Sequence, residues 1–518
     1  MLTILISLLL PFLISALIPK RRKVKADRVG GDPGLFGFMT LPAKLRFLLH
    51  GRSLVYNRYN SSLKDHNYYL QTTLVDRLVL APKYLAELRD ADPALLNTSV
   101  ASVENTLGEF SGIDVILKDR QTHDLCRGKL TRSLLLMIPV LARKLQALLN
   151  HKLEHCTADG PVSYTAYELI ESLNNLTSSL TLVGPELTKK TEWSEPFLDV
   201  LPAIQAVILS LAPLPHLLRN IISPILPATR RLRNLHTKLR AVLFPKNKEP
   251  LWQSSESPTF LQFFVESSKT KTVDKEEIVA KVCVLITNMV ILHLLLELTH
   301  LLTTSTTNAL YSLCSNPSYV PALRAELISA LESTNGVFTF ETLKALRKMD
   351  SFIKESQRWT PPSFLTFNRT VMRDIPLSDG TILPAGQFIS MPGGPMTRDP
   401  LFYNSPDPNE FDGYRFYNKT SAPHQNRNQN QNQANTSSSE TENELSGIEP
   451  GNLQWGVGKL TCPGRWYASA VMKLMVALVL REFEVRFPEG QTDREGETTL
   501  DTFIHPSETQ RLVFRRLG

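Results

Sequence analysis

One cysteine in this chain stands in a loop built to present it. The run Trp455-Gly456-Val457-Gly458-Lys459-Leu460-Thr461-Cys462-Pro463-Gly464-Arg465 is punctuated by glycines and leads Cys462 into a long apolar segment, Trp466 to Leu480. Glycines let a loop turn tightly around a flat ligand, because they accept backbone angles that other residues avoid. A cysteine at a helix N-terminus is expected to have a lowered thiol pKa and to be presented as thiolate, the form that ligates metal. On iron, thiolate ligation pushes electron density toward O–O bond cleavage. Taken alone, the loop also describes a buried structural cysteine beside a helix start. Agreement with other segments of the chain decides between the two.

The second such segment is Lys354-Glu355-Ser356-Gln357-Arg358, whose Glu355 and Arg358 share a helix face at i,i+3. In isolation this pattern is usually a solvated surface pair. The third, Phe411-Asp412-Gly413-Tyr414-Arg415-Phe416, offers a further arginine among aromatics. A carboxylate accepts two guanidinium forks, so Glu355, Arg358 and Arg415 are expected to form one buried network. Within the apolar run Ile278 to Leu313, His293, Glu297, His300 and Thr304 are spaced by four, three and four and lie on one stripe. Polar groups there are costly unless hydrogen-bonded or used. Glu297-x-x-His300 resembles half of a di-iron carboxylate site, but no partner helix carries a matching pair.

These residues need long helices to hold them. Leu125 to Leu149, Tyr164 to Leu182, Leu198 to Leu218, Ile278 to Leu313 and Val320 to Leu331 carry helical periodicity. Short strands are expected near Phe364 to Val371, Thr381 to Leu383, Val485 to Phe487 and Leu512 to Phe514. The fold class is mainly α with small β-sheets. Residues 418–448 contain a run of Gln, Asn, Ser and Thr that cannot bury enough apolar surface to offset chain entropy, and read as a disordered surface insertion. Five cysteines, far apart and without a CxxC pair, exclude a zinc site or a disulfide framework. A net charge of +7 over 518 residues is too dilute for nucleic-acid binding and suits an acidic protein partner or an anionic membrane.

Met1 to Pro19 is uncharged and apolar, and Lys20-Arg21-Arg22-Lys23 follows at once. That is just long enough to cross a bilayer, with the basic cluster on the cytoplasmic side. No clear small-residue cleavage site follows, so an uncleaved single-pass anchor is favoured over a signal peptide. The expected division is an anchor over 1–19, a basic, Gly/Pro-containing linker over 20–45, and one catalytic domain over 46–518.

Taken together and in order, ExxR at Glu355–Arg358, aromatic-flanked Arg415 and the loop ending Cys462-Pro463-Gly464-Arg465 resemble a cytochrome P-450. The run Phe364 to Pro400 resembles fungal members that tailor secondary metabolites, and the resemblance covers roughly residues 40 to 518, strongest from 300 on. It implies a cytochrome P-450 fold preceded by the transmembrane helix, and haem b ligated by Cys462, with Trp455, Gly456, Gly458 and Gly464 around it. It implies the Glu355–Arg358–Arg415 network behind the haem, and propionate anchoring by His123, Arg127 and Arg369. An acid–alcohol pair over the distal face would relay protons, which brings in His300, Thr304 and Glu297.

The chain departs from the family at three places. Leu460 stands where Arg or His is common, Trp455 where Phe is usual, and His300 is followed by Leu301 and Leu302 where Thr is expected. The alcohol is therefore displaced to Thr299, Thr303 or Thr304.

The function implied is a monooxygenase of the endoplasmic reticulum membrane. Its domain would face the cytosol and use O2 and electrons from NADPH through a cytochrome P-450 reductase. Its substrate would be an apolar, terpenoid-like molecule held near Phe364, Leu365, Phe503 and Ile504. Two other readings remain open at this point. One is a catalytically impaired relative acting as a membrane-bound partner; the other is an enzyme of the same fold performing desaturation, rearrangement or multi-step oxidation.

Overall fold

The structure is a computed structural model describing residues 23–31, 40–117, 121–214, 216–246, 249–267, 275–290, 301–403, 406–421 and 443–518. Its helices gather around Leu301–Ser315, buried from Leu302 to Leu313 and called here the distal helix. A helix buried all round is ordinarily apolar. This one carries Thr303 to Asn308 and Ser312, which need partners. Thr306 Oγ1 donates to Leu302 O at 2.7 Å, and the Ser312 and Ser356 hydroxyls lie 2.9 Å apart. Asn174 Nδ2 donates to Thr303 Oγ1 at 3.2 Å.

Three helices pack against it: Ala166–Val183, Arg347–Trp359 and Arg465–Glu482. Arg465–Glu482 buries every residue from Ser469 to Leu480; the stretch is apolar except for Ser469 and Lys473, and Lys473 pairs with Asp350 at 3.0 Å and donates to Leu343 O at 2.7 Å. A further long helix runs over residues 121–152. It is α-helical at Gln121–Leu125 and Thr131–Lys152, with one π-turn, Cys126–Leu130, between them.

A six-stranded sheet stands beside the helices, in the order Asp27–Val29, Tyr68–Gln71, Asp76–Val79, Phe388–Met391, Thr366–Val371, Leu96–Asn97. Thr366–Val371 and Phe388–Met391 are antiparallel, with a register shift between Thr366 and Arg369. A three-stranded antiparallel sheet joins Phe483–Arg486, Arg511–Arg516 and Val162–Thr165, and a hairpin pairs Thr498–Leu500 with Phe503–His505. The chain is mainly helical with small sheets.

Two segments differ from expectation. The linker expected over 20–45 contains the strand Asp27–Val29 and the start of helix Thr40–Tyr59. The strand exists because Tyr68–Leu70 pairs with it and Arg28 grips Asp76 through two bonds, at 2.8 and 2.9 Å. Nothing within its own three residues signals this. The insertion expected over 418–448 begins inside helix Arg415–Ser421 and ends in packed residues, with Leu445 fully buried. Its Asn/Gln-rich centre and the apolar segment 1–19 lie outside the described residues. Among the described residues, 121–152 and Thr191–Leu211 are long and apolar enough to cross a membrane, and both contribute to the main core.

Candidate active site

The cysteine loop is held by its backbone. Cys462 N donates to Trp455 O at 2.7 Å, closing the loop, and the helix Arg465–Glu482 starts from Gly464. Gly456 and Gly458 adopt φ of +73° and +66°, where a side chain is strained. At Gly458 space forbids one as well, since a Cβ would lie 1.9 Å from Arg89 O. The Trp455 indole N–H donates to Leu445 O at 2.8 Å.

The backbone N–H groups of Gly464 and Arg465 both donate to Cys462 Sγ. Burial nevertheless pushes the thiol pKa up, against these N–H bonds and the Arg465 charge. The lowered pKa expected from a helix-start position is therefore corrected: in the protein alone, desolvation outweighs the helix terminus. The loop still places partial positive charge where an anionic sulfur sits.

Arg369 comes from a strained strand. Phe367 has φ +54° at the register shift in Thr366–Val371, and such a bulge re-aims the side chains that follow. Arg369 is 5% exposed, stacks on the Phe367 ring at 4.6 Å and donates to Asn368 O at 2.8 Å. Burial pulls its pKa down to about 10, and among the described residues no acidic group pairs with it. A buried cation without a carboxylate favours an anionic ligand.

Asn368, just before it, is fixed by Arg77, a residue that sequence reasoning missed. Fully buried Arg77 donates to Asn368 Oδ1 at 2.8 Å, Ser390 Oγ at 3.3 Å and Asn105 Oδ1 at 2.7 Å. Its strand, Asp-Arg-Leu-Val, reads as an ordinary edge with a solvated arginine, so no local signal marks it.

His123 and Arg127 lie either side of the step into the π-turn, whose wider winding changes the register after Leu125. Arg127 is exposed and close enough to Arg465 to help lower the latter's pKa, after burial and against Cys462. His123 is 42% exposed, with Nδ1 3.6 Å from Asp124. Arg127 thus lies toward the cysteine loop.

The three-residue network is present in full. Arg358 donates to both oxygens of Glu355, at 2.7 and 2.8 Å, and Arg415 Nε reaches the same oxygens at 3.1 and 3.2 Å. Their remaining N–H groups go to backbone carbonyls: Thr397, Pro408 and Glu410 for Arg358, and Pro406, Asp407 and Glu410 for Arg415. A buried ion cluster is stable when its lone pairs and protons are met in this way. It welds helix Arg347–Trp359 to the irregular segment 406–415.

On the distal helix, Thr303 is turned toward Asn174 of Ala166–Val183, while Thr304 is buried and Leu301 half-buried. His293, Glu297 and His300 lie outside the described residues. The two apolar segments expected near substrate do meet. Phe364 N donates to Thr502 O, Ile504 N donates to Pro362 O, both at 3.0 Å, and Ser363 bridges Phe503. Phe364 and Ile504 are fully buried against protein.

These residues fit a haem. A sulfur with two backbone N–H donors suits an axial thiolate. A Cβ built on Gly464 meets nothing within 4 Å, so the backbone is uncrowded where the helix starts. Arg369 and Arg127 are cations available to carboxylates.

The model of the family described as Cytochrome P450 matches residues 100–514. Cytochrome P450 monooxygenase AN1598 of Emericella nidulans is 27% identical over 519 residues, covering 98% of this chain and 90% of that protein. Cytochrome P450 monooxygenase janP of Penicillium janthinellum is 30% identical over 475 residues, 90% of this chain and 85% of that protein. Ent-kaurene oxidase P450-4 of Gibberella fujikuroi is 28% identical over 476 residues, with coverages of 91% and 89%. A family match over four-fifths of the sequence, on a fold that presents Cys462 in a glycine-punctuated loop at a helix start, leaves a single conclusion: the chain belongs to the cytochrome P450 family and is a haem-b oxidoreductase that incorporates oxygen into its substrate.

Proposed function

We propose that this protein is a membrane-anchored monooxygenase in which Cys462 is the axial haem ligand. It oxidises an apolar, terpenoid-like molecule with O2 and with electrons passed from NADPH by a cytochrome P-450 reductase. The observation that carries this reading is the pair of N–H donors from Gly464 and Arg465 on Cys462 Sγ, in a loop whose Gly458 leaves no room for a side chain. Bound haem supplies oxygen binding and activation; the chain supplies the rest. The two N–H groups would favour the charged sulfur, and Gly456 and Gly458 let the loop that would hold the haem turn tightly. Arg369 and Arg127 hold the propionates, and His123 adds a hydrogen bond. Glu355, Arg358 and Arg415 keep the backbone behind the loop rigid. Thr304, four residues beyond His300 and so one helical turn away, would be the alcohol that passes protons with His300 and Glu297. Phe364, Leu365, Phe503 and Ile504 form an apolar wall, which suits a relative named for ent-kaurene, a diterpene.

Membrane attachment rests on the apolar segment 1–19 and on a surface patch. Leu45, Leu49, Ile221 and Ile225 are 50%, 76%, 69% and 64% exposed. Leu45 and Leu49 lie on Thr40–Tyr59, Ile221 on His216–Ile222 and Ile225 on the 3-10 turn Ser223–Ile225 that follows; the two helices are neighbours, since burial first, and the Arg219 charge second, lower the Lys44 pKa. An apolar patch flanked by lysine and arginine suits an anionic bilayer. This supports an anchor in the endoplasmic reticulum membrane with the domain on the cytosolic side.

The test is a reduced carbon-monoxide difference spectrum on membranes carrying the full chain, followed by NADPH-dependent oxidation of diterpene hydrocarbons with a reductase present. A thiolate-type Soret band with product supports the reading. A thiolate band without turnover of any substrate favours the catalytically impaired partner, for which Leu301 and Leu460 speak. Absence of haem overturns both.

A further inference from the structure

We propose that Lys354 is a positioning residue for Cys462, acting through the turn that ends the Asn/Gln/Ser-rich insertion; the inference rests on Cys462 being the haem ligand. Lys354 precedes Glu355 on helix Arg347–Trp359 and is 2% exposed. Lysine is almost never fully buried without strong partners. Here Nζ donates to the carbonyls of Glu444 at 3.0 Å and Gly447 at 3.4 Å, and lies over the Phe416 ring at 4.8 Å. Both carbonyls belong to one tight turn, in which Gly447 N also donates to Glu444 O at 2.8 Å.

Inside that turn, Leu445 is fully buried, and its carbonyl is the acceptor for the Trp455 indole. Trp455 O in turn accepts the Cys462 N–H. A continuous path therefore runs from the Lys354 ammonium through residues 444–447 to Trp455 and then to Cys462. Residues 444–447 come immediately after the low-complexity stretch, a segment with little packing of its own to fix where it returns. Buried carbonyls need donors, and removing this one leaves part of their demand unmet. The ammonium thus fixes the turn, the turn fixes the indole, and the indole fixes the loop that aims the sulfur. This gives the end of the insertion a mechanical connection to the residue that would ligate the haem.

The experiment compares full-length wild type with Lys354→Met, Lys354→Arg, Trp455→Phe and the Lys354→Met/Trp455→Phe double variant in isolated membranes. Two quantities are read: the rate of haem transfer to excess apomyoglobin, and the fraction of haem in the thiolate-ligated carbonyl form. Expected are about tenfold faster haem release in Lys354→Met and in Trp455→Phe, the scale of one lost buried interaction, and no further acceleration in the double variant. Lys354→Arg, which keeps donors, is expected to recover most of the thiolate-ligated fraction. Wild-type release from Lys354→Met, or rates that multiply in the double variant, overturns the proposal. If Lys354→Met does not accumulate, Lys354→Gln is read by the same two criteria. Limited proteolysis of haem-depleted membranes gives a readout independent of ligation. Faster cleavage within residues 443–447 in the Lys354 variant supports the clamp, and unchanged cleavage counts against it. If wild type itself binds haem without a thiolate signature, the Cys462 assignment falls, and the proteolysis result alone judges the clamp.

Discussion

Arg415 Nε lies 3.2 and 3.1 Å from the two carboxylate oxygens of Glu355, with both side chains fully buried and sixty residues between them in sequence. Arg358 grips the same carboxylate from within its own helix, and the N–H of Asp412 adds another bond to Glu355 at 2.9 Å. One carboxylate thus pairs with two guanidinium groups, whose other donors hold five carbonyls, that of Thr397 and four within residues 406–410. The cluster fixes a segment that has no sheet or helix ladder to fix itself.

Removing Glu355 leaves two buried guanidinium groups without a counter-charge, which costs about 3–5 kcal/mol, and removing Arg415 takes its donors from three carbonyls. Glu355→Ala and Arg415→Leu are each expected to abolish recoverable haem-loaded protein. Arg415→Lys should not restore it, because a point charge cannot serve three carbonyls and a carboxylate at once. The measurement is haem per polypeptide in membranes. A normal ratio in Arg415→Leu contradicts the role given to the cluster.

Cys462→Ala is expected to remove the thiolate-type carbonyl spectrum while leaving membrane association unchanged, since the proposed anchor and the apolar patch lie elsewhere in the chain. Absorption spectra and flotation of membranes report the two properties separately. An unaltered spectrum in the variant rules out Cys462 as ligand.

Thr303 and Thr304 should separate by phenotype. Thr303 accepts from Asn174, so Thr303→Val leaves a buried amide donor unmet and is expected to lower stability by about 1–3 kcal/mol, with coupling of NADPH use to product preserved. Thr304→Val is expected to uncouple the reaction, so that more NADPH is consumed without product whatever its effect on the melting temperature. Melting curves and product-to-NADPH ratios decide. Loss of coupling in Thr303→Val alone assigns the proton-relay alcohol to the wrong residue.

Much of this architecture was legible in the sequence because it is local. The helices follow from apolar periodicity, and Glu355 with Arg358 from an i,i+3 spacing that the fold then buries. What escaped notice depends on distant backbone. Arg77 is structural only because Asn105, Asn368 and Ser390 converge on it. Lys354 reads as a surface lysine until residues 444–447 fold over it. The sign of the Cys462 shift escaped for a similar reason: helix-start position is visible in sequence, but desolvation is not.

Composition also hid where the insertion stops. Removing residues 422–442 and joining the ends with a short Gly-Ser link is expected to leave haem content near wild type, because that stretch offers little to pack. Extending the deletion through residue 446 removes Leu445, the Trp455 acceptor and part of the Lys354 turn, and should strip most of the haem. Haem content after the two deletions, measured on equal protein, tests the boundary. Equal retention in both places it wrongly.

Acid should weaken the hairpin that faces residue 363. His505 is 3% exposed, and burial lowers its pKa from an ordinary 6.5 to about 4. The folded protein therefore keeps His505 neutral while the unfolded chain takes up a proton as pH falls below 6.5. Stability is lost progressively between pH 6.5 and 4 and no further below that, a total of about 3 kcal/mol from this group. His505→Gln cannot be protonated and should show a smaller drop in melting temperature between pH 7.5 and 5 than wild type. Because Phe503 of the same strand bridges Ser363, the wild-type loss should also appear as faster hydrogen exchange at Phe364 and Ile504, whose N–H groups tie the two segments together. Parallel melting curves for the two proteins across this range show that His505 is not the acid-sensitive group.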